Sequence, residues 1–587
     1  MEAQSVYSGV RSRILNEMIE EVRNKAPYLL MVVDSYSINI LSNATSVLDL
    51  TSKSITVIEK LEKSRQPLTD FEALYFVSVS SVDLLIQDFQ EKPKYKAAHL
   101  CFTGKVEDAD FRKLAASSLA AYVKSFKEVN CDVRVLGANT FSLEETKLLG
   151  PLYLGSPSRN HIIKDTASRL AHLCVMLNEF PYICYHANSQ CCKELAVQFE
   201  DKIESIYRSN PELRFEDNRA TLLVLDRKFD VATPLAHDVH YEAMLKDLFV
   251  VGADGKVKYE ALENGLSVKK DAYLNENDQV WTQLRYEEID DASTVLSQEL
   301  QRYREQYRDV EMASKGVEDL KVASKVVSNL PEYNEKINQY SVNQSMIDMC
   351  LRAFTDEGIM DLSEIEQILM TGVDTFLKEV STKKILKRVV NKLQELNSPK
   401  QKLRLVLLVV TTLEIGEKDR KELTQFLDPS QLFTITKLNY LGINPQTQNK
   451  KSTKRIDKAA LKEFRNRMQQ IQKYYCYAIP KISDIIQSAL DNNIDSAQFE
   501  FGKTRPQQGN STGVSLRRKA APSKRIIVFV LGGVSWAELR LVKDFPSVII
   551  GGSRVMAPSE FIEEVNSIAP QAENADPRDV NLQFDFR

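Results

Sequence analysis

Cysteine is scarce in this sequence, and long apolar runs are missing from it. The eight cysteines among 587 residues follow no regular spacing, so a disulfide framework is not expected and a reducing compartment is favoured. The densest group ends in the pair Cys191-Cys192, which lacks the two-residue spacer with which two thiolates reach one tetrahedral zinc. No run approaches the roughly 18 apolar residues that cross a bilayer, and the charged amphipathic start does not resemble a signal peptide. We therefore expect a soluble, cytoplasmic protein without a metal site.

A strong excess of one charge is missing too. The sequence has 77 basic and 81 acidic residues, a net charge of −4, whereas a dedicated nucleic-acid-binding protein usually carries a marked basic excess. Positive charge is concentrated in residues 446–458 and 502–525, which are also rich in polar residues. We expect these segments to be solvated loops, with weak attraction to anionic lipid headgroups as the open alternative.

Motifs of nucleotide binding and nucleophilic catalysis are absent. The first predicted strand leads into Val-Val-Asp-Ser-Tyr-Ser at 32–37 and not into G-x-G-x-x-G. No Lys-Ser/Thr follows Gly532-Gly533, which favours a tight turn there over a phosphate loop, and no G-x-S-x-G elbow occurs. Only six histidines are available as general bases. We therefore expect no enzyme, no catalytic residue and no cofactor.

One stretch nevertheless has the form of an active site. Asp226, Arg227 and Asp230 directly follow four aliphatic residues, 222–225, and the carboxyl end of a buried strand is where many α/β enzymes place a metal ligand or general base. The alternative is that Arg227 and Asp230 neutralise each other and hold the turn, because a half-buried carboxylate is costly without a partner. The second interpretation is favoured, since structural ion pairs are also common at such positions.

Short aliphatic runs alternate with helical patterns over the first ~135 residues, which predicts a parallel sheet with helices on both sides. The strands are predicted at 28–34, 73–79, 97–103 and 131–137, and the helices at 5–25, 36–50 and 108–128. A second α/β segment spans about 138–250, and the βα pattern returns at 523–539 and 546–553. The helical region between them is therefore predicted to be an insertion into the second domain.

The predicted fold class is thus α/β plus a mainly helical insertion, with Rossmann-like parallel sheets in domains 1 and 2. The predicted boundaries are 1–137 for domain 1, 138–250 and 481–570 for the two parts of domain 2, 251–480 for helical domain 3, and 571–587 for an unstructured tail.

Two apolar stripes with helical spacing predict a long helical hairpin at about 285–352. The first stripe is Ile289, Ala292, Leu296, Leu300, Tyr303, Tyr307 and Val310, and the second is Tyr333, Ile337, Tyr340, Gln344, Ile347 and Leu351. Between them Pro331 is expected to break the helix. The stripes either pack only on each other or also bind a helical partner, which a polar seam residue such as Gln344 often specifies.

Four separated segments resemble, in the same order, segments of the Sec/Munc (SM) family of syntaxin-binding SNARE regulators. They are residues 54–80, 222–249, 330–341 and 526–540. The resemblance extends from near the N-terminus to about residue 565 and is greatest to the neuronal, exocytic branch. It implies a three-domain arch with the third domain inserted into the second, and a structural role for the stretch at 226–230.

The resemblance also implies a surface of domain 1 that grips closed syntaxin. Its residues here are Asp34, Ile38, Asn39, Ser46 and Glu59. Asn39 and Ser46 replace an arginine and a lysine of relatives, so electrostatic complementarity with syntaxin is expected to be weaker or differently arranged.

Two further surfaces are implied. A pocket for the N-terminal peptide of syntaxin corresponds to Val106, Phe111, Val123, Phe126 and Glu128, with Val123 and Phe126 expected on one helical face and Glu128 expected to pair with a basic peptide residue. The hairpin is implied to bend at Pro331 and to align the vesicle SNARE along the second stripe, where Gln344 replaces a leucine.

The implied function is regulation or templating of SNARE complex assembly for vesicle docking and membrane fusion in exocytosis. The implied partners are syntaxin (a Qa-SNARE), in its closed form and through its N-terminal peptide, the assembled SNARE bundle and the vesicle R-SNARE. We expect a monomer that is peripheral at the plasma membrane through its SNAREs and binds no nucleic acid. The alternatives are an SM protein of endosomal or vacuolar traffic acting with a tethering complex and, less favoured, an α/β enzyme.

Overall fold

The structure is a computed structural model of the chain. It describes residues 4–24, 29–211, 213, 219–251, 256–263, 266–307, 320–376, 378–443, 478–503 and 525–568. The predicted tail 571–587, the loop 446–458, most of the loop 502–525 and Val310 of the first stripe lie outside the described residues.

The first unit is built on a five-stranded parallel sheet in the order β2-β1-β3-β4-β5. Its strands are β1 (Leu29–Val33), β2 (Ile55–Lys60), β3 (Leu68–Val77), β4 (Tyr95–Phe102) and β5 (Val123–Glu128), and its helices are α1 (Val6–Ser12), α2 (Glu20–Arg23), α3 (Ser37–Ala44), α4 (Val47–Ser52), α5 (Val82–Gln87) and α6 (Asp108–Ala115). Along β1, Leu30 and Val32 join one core cluster while Met31 and Val33 join another. The sheet is therefore buried on both faces, as predicted.

Two local predictions in this unit are wrong, and one strand was missed. The helix predicted over 108–128 ends at Ala115, and Val123–Glu128 forms an edge strand, because pairing with β4 overrides the helical pattern. The strand predicted over 131–137 forms as β6 (Arg134–Gly137), but it pairs antiparallel with β7 (Thr140–Ser142) in the second sheet. The edge strand β2 was not predicted, since its Val57 and Ile58 are exposed and give no buried apolar run.

The second unit continues with two strands and four helices. They are α7 (Leu149–Tyr153), α8 (Arg159–Met176), β8 (Tyr182–His186), α9 (Gln190–Ser209), β9 (Thr221–Asp226) and α10 (Tyr241–Leu248). All six residues of β9 are buried, which fits a central strand covered on both faces.

The insertion starts with an antiparallel hairpin and is otherwise helical in the residues described. The hairpin strands are β10 (Lys256–Glu263) and β11 (Leu266–Tyr273). The helices are α11 (Gln279–Leu284), α12 (Ile289–Gln306), α13 (Leu320–Asp356), α14 (Ile359–Thr371), α15 (Thr382–Glu395), α16 (Pro399–Thr412), α17 (Glu417–Thr424) and α18 (Pro429–Lys437). The hairpin was not predicted, but the mainly helical character is confirmed.

The chain then returns to the second sheet. The last elements are α19 (Ile482–Leu490), β12 (Phe499–Phe501), β13 (Ile526–Leu531), β14 (Val534–Ser535), α20 (Trp536–Leu539), β15 (Val548–Gly552), β16 (Val555–Met556) and α21 (Pro558–Ser567). The seven-stranded sheet has the order β12-β8-β9-β13-β15-β7-β6, so β9 from before the insertion pairs directly with β13 from after it. This pairing confirms that the helical region is inserted into the second unit. Within the ranges described, no helix is both long enough and apolar enough to cross a membrane.

Candidate functional site

Arg227, at the carboxyl end of β9, is held by a partner far away in the sequence. The fully buried guanidinium forms a bidentate ion pair with Glu538, with both N–O distances at 2.8 Å. Burial works against the charge, but Glu538 outweighs it and raises the pKa of Arg227. The expected structural role fits, but the expected partner is wrong: Arg227 contacts Asp230 only through the backbone carbonyl, and its charge is neutralised by Glu538.

Asp230 is committed to the turn that follows the strand. Its Oδ1 accepts the backbone N–H groups of Ala232 and Thr233, each at 3.0 Å, and its Oδ2 accepts the Thr233 hydroxyl at 2.6 Å. Burial opposes ionisation, yet the positive charges of Lys481 and Arg227 hold the pKa of Asp230 below its usual value. A carboxylate bound on both oxygens and 1% exposed is a turn-forming group and a poor general base.

The paired glycines complete the same junction. Gly532 and Gly533 have φ of +89° and +105°, a region that side chains disfavour, and a Cβ on Gly533 would lie 2.4 Å from Met556 Cε. The carbonyl of Gly533 accepts from Arg227 at 3.2 Å. The prediction of a tight turn is confirmed.

Asp34 does not lie on a surface. It is 1% exposed; its Oδ2 accepts the hydroxyls of Ser78 and Ser81 and the Ser78 backbone N–H, each at 2.7 Å, and its Oδ1 accepts the Ser37 N–H at 2.7 Å. Burial opposes ionisation, but these bonds lower the pKa of Asp34. Asp34 therefore fixes the turn after β1 and offers little exposed surface of its own to a partner.

The other four residues predicted for the syntaxin-gripping surface are partly accessible, and three of them take part in local bonds. Ile38 packs partly against the domain core, and Asn39 donates to the Ser35 carbonyl at 3.2 Å. Ser46 caps α4 by accepting the Asp49 N–H at 3.1 Å, while Glu59 on β2 accepts the Tyr95 hydroxyl. Their polar groups are used mainly in bonds within the domain, so these residues offer only part of their surface to a partner.

Sequence reasoning missed the most exposed apolar residues of α4 and β2. Val47 and Leu48 in the first turn of α4 are 78% and 76% exposed, and Val57 and Ile58 on the edge strand β2 are 45% and 41% exposed. Large apolar side chains directly after the helix cap Ser46 were the available signal, because a solvated first turn is usually polar. They are better candidates for partner contact than Asp34.

The predicted peptide pocket is brought together by the structure. Phe111 on α6 and Phe126 on β5 are 51% and 38% exposed and meet edge to face, with ring centroids 5.4 Å apart and planes at 89°. Phe126 also lies 5.6 Å from the buried ring of Phe102. Glu128 accepts the backbone N–H of Val106 at 2.9 Å, which holds an acidic group beside the rings.

Val123 and Phe126 lie on β5 and not on the helix that was predicted. Residues three apart on a regular strand face opposite sides, but the register here shifts: Ala98 pairs with Val123, and Leu100 pairs with Phe126. The extra residue, Lys124, forms a β-bulge that returns both side chains to one face. The predicted shared face is therefore correct and its predicted helical cause is wrong.

The two helical stripes pack on each other. Ile289, Ala292 and Leu296 of α12 share one buried cluster with Tyr340 and Ile347 of α13, and Leu300, Tyr303 and Leu351 pack at its edge. Tyr303 stacks on Tyr333 with centroids 5.7 Å apart and planes at 10°, and Tyr307 lies 5.9 Å from Tyr333. Ile337 is half-buried on the same helix.

Two details of the hairpin differ from prediction. The backbone of α13 is helical from Leu320 to Asp356 and so runs through Pro331 without the predicted bend. Gln344 is half-buried and donates to Asp348 of its own helix at 2.9 Å. The fully buried polar residue is its neighbour Asn343, whose side chain bonds Asp278 and Tyr241 and not the first stripe.

The cysteines and possible metal ligands of the described residues were the last candidates for chemistry. No group of three or more potential metal ligands occurs there, and the seven cysteines that the structure describes are free and buried. Burial raises the pKa of Cys192 well above its usual value, so these thiols behave as small apolar side chains.

A family model described as the Sec1 family matches residues 30–564. The chain belongs to the Sec1 family. It is 30% identical over 604 residues to the protein transport protein sec1 of Dictyostelium discoideum, which covers 96% of this chain and 99% of that protein. It is 24% identical over 585 residues to the protein transport protein sec1 of Schizosaccharomyces pombe, with coverage of 93% and 82%.

Solved structures share the fold of this Sec1 family protein. The Unc18–syntaxin 1 complex from Monosiga brevicollis matches with a TM-score of 0.79 and 23% identity, over 96% of this chain and 100% of that chain. The SM protein Vps45 in complex with the Qa-SNARE Tlg2 matches with a TM-score of 0.76 and 20% identity, over 96% and 98%. The fold is therefore the three-domain arch, with the helical domain inserted into the second α/β domain.

Family membership also decides between enzyme and regulator. Sec1 family proteins are non-enzymatic regulators of SNAREs. The structural interpretation of Asp226, Arg227 and Asp230 agrees with this, because each side chain is used in holding the junction around β9.

Proposed function

We propose that this Sec1 family protein binds a syntaxin through the pocket around Phe111 and Phe126 and guides SNARE complex assembly in exocytosis. The observation that carries the proposal is the exposed edge-to-face pair beside an anchored acid, Glu128. Two large rings fixed in contact with water are costly unless a partner covers them. A solved structure with the same fold, Sly1p, is in complex with an N-terminal peptide of Sed5p, which supports a peptide as the occupant.

The chemistry of the pocket defines its ligand. An apolar side chain near the start of the syntaxin would pack against the exposed faces of Phe111 and Phe126, and a basic residue would pair with Glu128. Because Val106 N–H already occupies one oxygen of Glu128, the carboxylate is held in place before the peptide arrives. This preorganisation lowers the entropic cost of binding.

The second proposed surface is the face of domain 1 around α4 and β2. Val47, Leu48, Val57 and Ile58 supply apolar contact area, whereas Asn39 and Ser46 supply no positive charge. We therefore expect this surface to hold the closed form of syntaxin mainly by apolar contact. Release into SNARE bundles requires that the protein bind one syntaxin conformation better than another.

The third proposed surface is α13, which would align the vesicle R-SNARE with syntaxin. Residues 320–356 form one continuous helix, and a continuous helical face is what a SNARE helix needs as a template. We further propose that the protein is monomeric and is recruited to the plasma membrane by its SNAREs.

Calorimetry with the cytoplasmic part of a plasma-membrane syntaxin tests the proposal. We expect binding that weakens when about the first ten residues of the syntaxin are removed, and that weakens equally in the variant Phe111→Ser. Phe433→Ser is the matched control, because Phe433 is 67% exposed on α18 in the helical domain. If the affinity for syntaxin is unchanged by both the truncation and Phe111→Ser, the pocket is excluded as the binding site. If the protein binds no syntaxin, the proposed function is excluded.

Endosomal or vacuolar traffic is the second candidate, favoured by the likeness to Vps45 in complex with Tlg2. A panel of syntaxins from different compartments separates the two candidates. Tightest binding to an endosomal syntaxin would replace the exocytic assignment while leaving the peptide pocket in place.

A further inference from the structure

The first sheet contains a topological switch point that the functions above do not use. From β1 the chain passes to β2 on one side, and then crosses to β3 on the other side of β1. In open parallel sheets, ligands bind in the crevice outside the carboxyl ends of the strands at such a point.

A cavity of about 820 Å³ lies at this position. Its floor comes from the loops that follow β1, β3, β4 and β5, including Tyr36, Ser80 and Thr103, and helices α8 and α9 of the second domain form its other wall. The volume is within the range of small-molecule sites. The wall contributes polar groups, among them Ser168 and Gln198.

Several acidic groups of the cavity are paired with arginines. Arg169 of α8 lies 3.2 Å from Asp132 and 3.7 Å from Asp165. Arg134 lies 3.0 Å from Glu144. Because Arg169 is also shared with Glu145, at 3.5 Å, these ion pairs reduce the negative charge of this part of the cavity without cancelling it.

The other end carries three lysines from three different elements: Lys105 follows β4, Lys164 lies on α8 and Lys202 lies on α9. Within the described part of the chain, Lys164 and Lys202 have no ion-pair partner, and Lys105 has only the exposed Glu107, at 3.6 Å. Asp201 also lines this end.

The lysines are close enough to disturb one another. Burial and then the charges of Lys105 and Lys164 lower the pKa of Lys202, although Glu128 and Glu107 oppose the effect. Burial and the charges of Lys202, Arg13 and Lys105 lower the pKa of His172, in the same cavity, to about 3. Like charges held together cost free energy, which a bound anion would offset.

We propose that this cavity binds a small organic polyanion that carries several phosphate groups on a polar framework, held by Lys105, Lys164 and Lys202. Three cations from three different elements can pair with several phosphates of one ligand. Glu107 and Asp201 would discriminate against a singly charged ligand. Hydroxyl and amide groups of the wall suit a polyol framework. Because the lysines come from both α/β domains, the ligand would bridge them.

Two sources offer this chemistry: a soluble inositol phosphate, and the headgroup of a phosphoinositide lipid. The probes are inositol hexakisphosphate, measured by calorimetry at low and raised salt, and vesicles containing phosphatidylinositol 4,5-bisphosphate, measured by co-sedimentation. Binding of the soluble probe supports a free ligand, and binding of the vesicles alone supports the lipid. If neither probe binds, the proposal is overturned.

Variants on two helices test the position of the site. Lys202→Met and Lys164→Ser are expected to weaken binding of the successful probe at least about tenfold each, which corresponds to about 1.4 kcal/mol. Lys193→Ser on the exposed face of α9 is the matched control and is expected to bind as the wild type does. Equal weakening by all three variants, or by none, would mean that binding is not in the cavity and would overturn the proposal. If Lys202→Met does not fold, the exposed Lys164 decides the question alone.

Discussion

Asn343 of α13 donates a hydrogen bond to Asp278, with 3.0 Å between Nδ2 and Oδ2. Asn343 is fully buried, and its Oδ1 accepts the hydroxyl of Tyr241 at 3.1 Å. Asp278 also caps α11 by accepting the N–H groups of Val280 and Trp281. One buried amide therefore ties α13, the proposed SNARE-aligning helix, to α10 and to the cap of α11.

Replacement of Asn343 by Ala is expected to lower the free energy of unfolding of the protein by about 1–3 kcal/mol, because Asp278 and Tyr241 lose a buried partner. Urea unfolding followed by circular dichroism measures the change. Gln344→Ala is the control and is expected to change stability by less than about 0.5 kcal/mol, since its side chain bonds only within its own helix. A larger loss for Gln344→Ala would show that Gln344, and not Asn343, is the polar side chain on which the packing of α13 depends.

The two helical stripes show which features of α12 and α13 the spacing of apolar residues can predict. Spacing of three and four identified which faces of α12 and α13 pack together. It did not distinguish Gln344 from Asn343, because neighbouring positions differ by only about 100° around a helix and only the packed structure decides which one faces inward. Pro331 was overvalued as a helix breaker for a related reason: a proline's cost of about 3 kcal/mol is a local quantity that surrounding structure can outweigh.

Replacement of Glu538 by Ala is expected to destabilise the second domain by about 3–5 kcal/mol, because it leaves the guanidinium of Arg227 buried without a counter-charge. The thermal unfolding midpoint measures this loss. Glu287→Ala is the matched control: Glu287 pairs with Lys543 at 2.7 Å on the surface, where an ion pair contributes at most about 1 kcal/mol. Equal effects of the two replacements would contradict the structural importance of the buried pair.

Contacts between residues far apart in the sequence are the part of the structure that could not be predicted. Asp226, Arg227 and Asp230 were identified as a structural group, and the partner of Arg227 was missed because Glu538 lies 311 residues further along the chain. The bulge at Lys124 was missed likewise, since it depends on the register of β5 against β4. The buried strands β1, β9 and β13 were predicted correctly because a strand buried on both faces consists of consecutive apolar residues.

Glu145 is expected to make stability depend on pH near neutrality. Burial raises the pKa of Glu145 to about 7, although Arg169 at 3.5 Å opposes the shift. Because the folded pKa exceeds the unfolded value, this group's contribution is complete below about pH 4 and is lost as pH rises through about 7. Glu145→Gln should remove this pH-dependent contribution. Between pH 4 and pH 8 the wild type should therefore lose up to about 3 kcal/mol of unfolding free energy relative to the variant. A pH-independent difference would contradict the raised pKa.

Pro331→Ala tests whether α13 acts as a template. Proline lacks the N–H that the helix requires and costs about 3 kcal/mol in a helix interior, and α13 runs through it from Leu320 to Asp356. Alanine removes this cost, so backbone amides around 327–335 should exchange hydrogen more slowly and SNARE assembly in reconstituted liposome fusion should be faster. Glu335→Ala, an exposed position on the same helix, is the control and should leave both rates nearly unchanged. Slower exchange with an unchanged assembly rate would count against templating by α13, and unchanged exchange would show that the proline does not limit the helix.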